Sequence, residues 1–251
     1  MTLSRSGRIL FAIAFACFGA HYLAFASGLS AAPPGPPWFP EHKWISWASG
    51  ICLLVAGVSL AINWKARLSG WLLGIALLLR MVVIHLPKLV ANVHDPGLWT
   101  SGGEILALSG GAFIIADAAS GIIQHAARTL DPTTRLGHYF VATLLAIVGI
   151  QHLMYGRFIA TLIPSWIPGH VFLAYFVGIA FLAAALSIVI QRFATLASTM
   201  LGFMFLVWVF ILHAPRVAAA PHSGNEWTSA IMALAMSGTA FAVAGSFAQR
   251  E

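Results

Sequence analysis

The sequence predicts an all-α, polytopic membrane protein: eight transmembrane helices as two parallel-repeat four-helix bundles, with both termini inside. Three observations predict it. Of 251 residues, 60% are hydrophobic and only 8% are charged, against about 25% charged in a soluble domain. That little polar surface does not coat a water-soluble globule, so the bilayer is the expected solvent. Eight apolar stretches each approach the roughly 20 residues that a spanning helix needs. Lastly, the chain resembles itself at the offset that carries Trp38 onto Trp166, 128 residues.

The spans are expected near 9–27, 44–62, 68–86, 103–123, 139–156, 171–190, 193–213 and 229–247. Arg5 and Arg8 precede the first, and Ala24-Phe25-Ala26 has the small-residue look of a signal-peptide cleavage site. The repeat needs this helix, so it is expected to be kept. With the N-terminus inside, the inner segments hold Arg5, Arg8, Lys65, Arg67, Arg128, Arg135, Arg192 and Arg250. The outer segments hold Lys43, Lys88, Arg157 and Arg216. That excess places both termini in the cytoplasm. The net charge of +6 is spread as single residues and pairs between spans, a topology signal and no footprint for nucleic acid. Cys17 and Cys52 lie in apolar stretches and have no counterparts in the other half; they read as small buried hydrophobes.

The repeat pairs His42 with His170, Gly50 with Gly178, Gly74 with Gly202 and His85 with His213. It continues through Pro87/Pro215, His94/His222, Trp99/Trp227 and Ser109-Gly110/Ser237-Gly238. Four helices per unit send both halves through the membrane in the same sense, as repeats about an axis along the membrane normal. The chain accordingly divides into a first repeat (1–123), a cytoplasmic linker (124–138) and a second repeat (139–251).

Gly149-Ile150-Gln151-His152, then Pro164-Ser165-Trp166-Ile167-Pro168-Gly169-His170, then Tyr175-Phe176-Val177-Gly178 resembles the DoxX-like family of four-helix bacterial membrane proteins. Residues 139–247 match best, and 9–120 look like a diverged second copy. The resemblance implies a multi-pass protein of the bacterial inner membrane. It also implies a subunit or anchor of a respiratory-type redox system, with a protein partner that carries the catalytic cofactor. Two alternatives stay open: a structural or assembly subunit without chemistry, and a small-molecule or metal carrier.

Two groups of residues are candidates for chemistry. Eight of the ten histidines fall in outer loops or outer helix ends. His85, His213, His42 and His170 form the set that would suit a metal or haem iron, or else the imidazoles simply sit at the membrane interface. His21 and His152 nearly correspond, one position apart. The second group is Arg80, Glu104 and Asp117, ionisable residues within spans, where charge is costly and calls for a partner or a cavity. Their repeat counterparts are Trp208, Met232 and Gly245. Arg80 and Glu104 should lie about 7 Å apart along the membrane normal and pair, while Asp117 lies too deep and should bond to a neighbouring helix or water. A quinone or other polar ligand would be lined by Arg80, His85, Glu104 and His213. The Pro-rich stretch 32–37 has too few backbone donors and free torsions for a helix and should cover the outer face. No phosphate-binding glycine loop, dinucleotide fingerprint or nucleophile–base arrangement occurs, so no catalytic residue is assigned.

Overall fold

A computed structural model describes residues 2–34, 38–119 and 131–249. Among them the chain is helical, with no strand. Eight helices are long and apolar enough to cross a membrane: α1 (Leu3–Ala26), α2 (Lys43–Ala61), α3 (Ala66–Ala91), α4 (Pro96–Ala118), α5 (Pro132–Met154), α6 (His170–Ile190), α7 (Ala194–Ala219) and α8 (Gly224–Ala248). Large apolar side chains such as Trp44, Ile51, Val55, Leu79, Phe172 and Phe203 stand exposed along them, which suits a lipid surround. The chain is thus a candidate multi-pass membrane protein. Gln249 donates to Ser4 Oγ at 3.1 Å, so both ends of the described chain meet on one face.

Local chemistry sets the helix ends. Asp95 caps α4 by accepting from the Gly97 N–H, and Asp131 caps α5 by accepting from the Thr133 N–H. In each case Pro follows at the first helical position, where its missing N–H costs nothing. These Asp-Pro caps start both helices about two turns before the hydropathy rise does. Residues 132–138, expected in the linker, are therefore the first turns of α5. The rest of that linker, 124–130 with His125 and Arg128, lies outside the described residues.

α3 and α7 also run past their prolines. Residues 81–85 and 209–213 form one wide π turn each, in which the Leu86 N–H reaches back five residues to Met81 O and the Ala214 N–H to Val209 O. A proline ring one position later would clash with the carbonyl four residues before it in a regular α-helix. The wide turn relieves that clash and lets both helices continue to Ala91 and Ala219.

The helices do not sort into two self-contained bundles. α1 lies between α2 and α8, and α4 between α3 and α5; α5 also packs on α6, and α7 on α8. The first helix of each half thus rests on the last helix of the other, while α4 and α8 meet in the middle. Accordingly α8 and α4 are the most buried spans, at 78% and 67%, and α3 the least, at 17%.

Close approach needs glycine at these crossings. A Cβ on Gly110 would stand 2.6 Å from the Gly137 carbonyl oxygen, and one on Gly238 would press on the backbone of Phe11 with its Cα 2.8 Å away. Where α1 meets α2, Gly19 faces the Gly50 carbonyl oxygen; where α5 meets α6, Gly149 faces that of Gly178. Along α1 and α5 the offset is therefore 130 residues (149 − 19). This places Tyr22, not His21, at the position of His152.

Inside each half the same serine ties the third helix to the fourth. Ser109 Oγ donates to Gly74 O at 2.8 Å, and Ser237 Oγ to Gly202 O at 2.8 Å. Both hydroxyls are fully buried. Ser109→Ala or Ser237→Ala should each cost about 1 kcal/mol, and the pair should be additive. Thermal unfolding in detergent checks this, and an unchanged midpoint would contradict it.

Candidate functional site

The structure disperses most of the residues expected to act together. Arg80 turns its guanidinium to Tyr22, with Nη1 donating to the hydroxyl oxygen at 3.3 Å, and its buried Nε has no hydrogen-bond partner. No ion pair links it to Glu104, so the expected Arg80–Glu104 pairing is corrected. The reason is rotation: Glu104 stands two turns from Gly111 on the same side of α4, and at Gly111 that side meets Thr239 of α8. Depth along the membrane normal carries no information about direction around a helix.

Asp117 accepts from the hydroxyls of Thr133 and Thr134, both at 2.7 Å, at the start of α5. It lies one residue before the end of α4, where it staples two helices across the junction between the halves. This is the helix contact expected of it.

The histidines do not converge. Among the described residues no group of three His, Cys, Asp or Glu side chains is placed to hold a metal ion. His42 is exposed and donates from Nδ1 to Trp38 O at 2.8 Å; His170 donates from Nε2 to Pro164 O at 3.0 Å. Each pins the loop before its own helix. His85 and His213 occupy the two π turns, each with a buried ring nitrogen that has no hydrogen-bond partner, Nε2 of His85 and Nδ1 of His213. Among the described residues, His85, His213, His42 and His170 are thus not gathered into one three-ligand metal site.

What the fold does build is a cavity of about 380 Å³ among α1, α2, α3, α4 and α8, within the ordinary range for small-molecule sites. Apolar side chains dominate its wall, including Phe15, Phe18, Leu53, Leu73, Leu77 and Met232. Arg80 and Tyr22 stand at one end, and Pro33 and Pro34 lie over it. The Pro-rich stretch is thus a cover, held in part where the Ala31 N–H meets His222 O at 3.4 Å; residues 35–37 of that stretch lie outside the described residues. Of the four residues expected to line a polar-ligand pocket, Arg80 lines this one; His85, Glu104 and His213 do not.

Sequence reading missed Tyr22, Leu53 and Leu77. The signal that would have found them is the repeat itself. At the equivalent positions the second half carries His152, Phe181, Phe205 and, in place of Arg80, Trp208. Those rings pack together: Phe181 lies 5.9 Å from Phe205, 6.1 Å from Trp208 and 5.3 Å from His152, between centroids. Aromatic side chains fill in the second half what stays open in the first. The void against Phe205 is only about 10 Å³, at most the space of a single water.

Cys17 and Cys52 are free thiols at the molecular surface. They are not the buried hydrophobes expected, since a lipid-facing position suits a thiol as well as a core does. Cys52 lines the cavity. Set beside known proteins, the chain matches no family model, no curated protein and no solved structure.

Proposed function

We propose that the chain is a bacterial inner-membrane subunit of a respiratory-type redox system, with a quinone site in its first half. The observation that carries this reading is the cavity headed by Arg80 and Tyr22. Its polar end offers N–H and O–H donors and a positive charge, and its walls are apolar. A quinone head presents only acceptor oxygens on a hydrophobic body, so the donor set fits. The Arg80 guanidinium and the Tyr22 hydroxyl would hold one carbonyl oxygen, and Phe15, Phe18 and Leu77 would pack on the ring and first tail carbons. A quinone accepts electrons and protons when bound; the electrons would come from a redox group on a partner.

The DoxX-like resemblance supports the family-level part of this reading and rests on the motif quoted above. The excess of Lys and Arg on the face holding the termini supports a cytoplasmic placement of both ends. The repeated serine ties, π turns and glycine crossings support a duplicated four-helix unit about an axis normal to the membrane.

A titration of the purified protein with decylubiquinone, followed by tryptophan quenching, tests the quinone site. Wild type should bind saturably. Leu53→Phe and Leu77→Phe, which install the second half's residues, should abolish binding without loss of fold. Equal binding by these variants would remove the site from this cavity, and no saturable binding by wild type would end the quinone reading.

A further inference from the structure

The wall of the Arg80 cavity includes a row of small side chains on its membrane side. Ala48 and Cys52 on α2 and Ala76 on α3 line the cavity and are exposed at the protein surface. Beside them run the lipid-facing residues of the same helices, Trp47, Ile51 and Val55 on α2, and Leu72, Ile75 and Leu79 on α3. The two helices are joined at the opposite end, where Ser59 Oγ and Ser69 Oγ lie 2.7 Å apart and a four-residue turn, 62–65, connects them. Toward Arg80, residues of both helices line the cavity. At the positions of Ala48 and Ala76 the second half carries Phe176 and Met204. At two of the three rim positions, then, a small residue beside the open cavity is matched by a large one in the half that is filled; Cys52 is matched by Ala180.

We propose that the cavity is entered sideways from the bilayer, through a portal between α2 and α3 edged by Ala48, Cys52 and Ala76. Its occupant is a single-tailed amphiphile dissolved in the membrane, with an acceptor-only head. The head reaches Arg80 and Tyr22, and the tail trails between the two helices into lipid. Pro33 and Pro34 line the cavity from the loop after α1, and an apolar molecule concentrates in the lipid on which the Ala48, Cys52 and Ala76 side opens. A charged guanidinium without an ionic partner is otherwise costly at this depth, and an acceptor head arriving from the lipid phase meets the Arg80 side chain where it lines the cavity. The inference rests on the reading of this cavity as a ligand site, but it does not require the head to be a quinone.

Cys52 provides the readout. In a Cys17→Ala background reconstituted in lipid nanodiscs, N-cyclohexylmaleimide should label Cys52, and a sulfonated, membrane-impermeant thiosulfonate should not. Prior incubation with decylubiquinone or decanoate should slow the labelling roughly tenfold, and in Arg80→Ala, measured against that variant's own unprotected rate, the protection should be lost. Ala48→Phe and Ala76→Met lie on the lipid side and take residues the second half already tolerates. Each should reduce the occupancy reached by either amphiphile roughly tenfold at a fixed concentration. Protection by decanoate alone would support the portal and end the quinone reading. Labelling by the impermeant reagent at an equal rate, protection by neither amphiphile, or full occupancy in both rim variants would overturn the proposal.

Discussion

Gly238→Val is expected to destabilise the protein by on the order of 3 kcal/mol, and Gly110→Val by a similar amount. At Gly238 the atoms in the way of a new side chain are the backbone N and Cα of Phe11. Neither can rotate aside as a side chain would, so α1 and α8 must separate along their crossing. Gly7, one turn along the same seam, has Ala242 Cα 2.8 Å from where its Cβ would be, and so the strain cannot be relieved by sliding. In lipid, separated helices gain no shielding from water, because their surroundings are as apolar as their neighbours; what holds them is close packing. Losing it is therefore a direct loss of stability. Gly103→Ala is the control. A Cβ there would meet only the flexible tip of Leu144 at 3.0 Å, and the cost should be well under that of the valine variants. Detergent-melting midpoints followed by tryptophan fluorescence would measure all three, and a Gly238→Val midpoint equal to wild type would refute the packing argument.

The second large effect falls on Arg80. Arg80→Met keeps the length and apolar stem of the side chain and removes its charge. Without ligand, the variant should melt at or above the wild-type midpoint, because a buried charge without an ionic partner carries a desolvation cost that methionine does not. With ligand, it should lose about 1.5–3 kcal/mol of binding, the worth of a hydrogen bond from a charged donor, or roughly 10- to 150-fold in Kd. The two signs are opposed, which separates a binding role from a structural one. Were Arg80 simply a structural tie to Tyr22, Arg80→Met would lower the melting midpoint and leave binding alone. Thermal shift with and without decylubiquinone distinguishes the outcomes in one experiment.

The spans were readable because a bilayer imposes a length and forbids charge, and both constraints act locally. The glycines of the crossings were readable as repeated positions, though not as particular contacts. Asp95 and Asp131 cap their helices ahead of Pro96 and Pro132, and hydropathy places those helix starts too late, since the capping turns are polar. The π turns follow from Pro87 and Pro215, whose usual effect is to end a helix; neighbouring packing on α4 and α8 carried α3 and α7 onward instead.

The candidate site was half legible. Arg80 stood out because a charge inside a span is rare, and its replacement by Trp208 in the other half marked an asymmetry. Its partners could not be read in the same way. In a water-soluble helix the apolar stripe tells which face is inside. Here both the lipid face and the core face are apolar, so periodicity is mute about direction, and Glu104 could be placed at the right depth yet aimed wrongly.

By itself, then, the sequence determined that this chain forms eight long apolar helices, that its halves share one pattern of His, Trp, Pro and Gly, and that the first half alone carries intramembrane charge. The tertiary structure decided which helices touch, that the first helix of each half packs on the last of the other, and that the cavity stays open where Leu53, Leu77 and Arg80 stand and closes where Phe181, Phe205 and Trp208 do. Span length and hydropathy are properties of a segment. Open volume depends on how side chains from five separate helices fill a shared space, and no single segment encodes it.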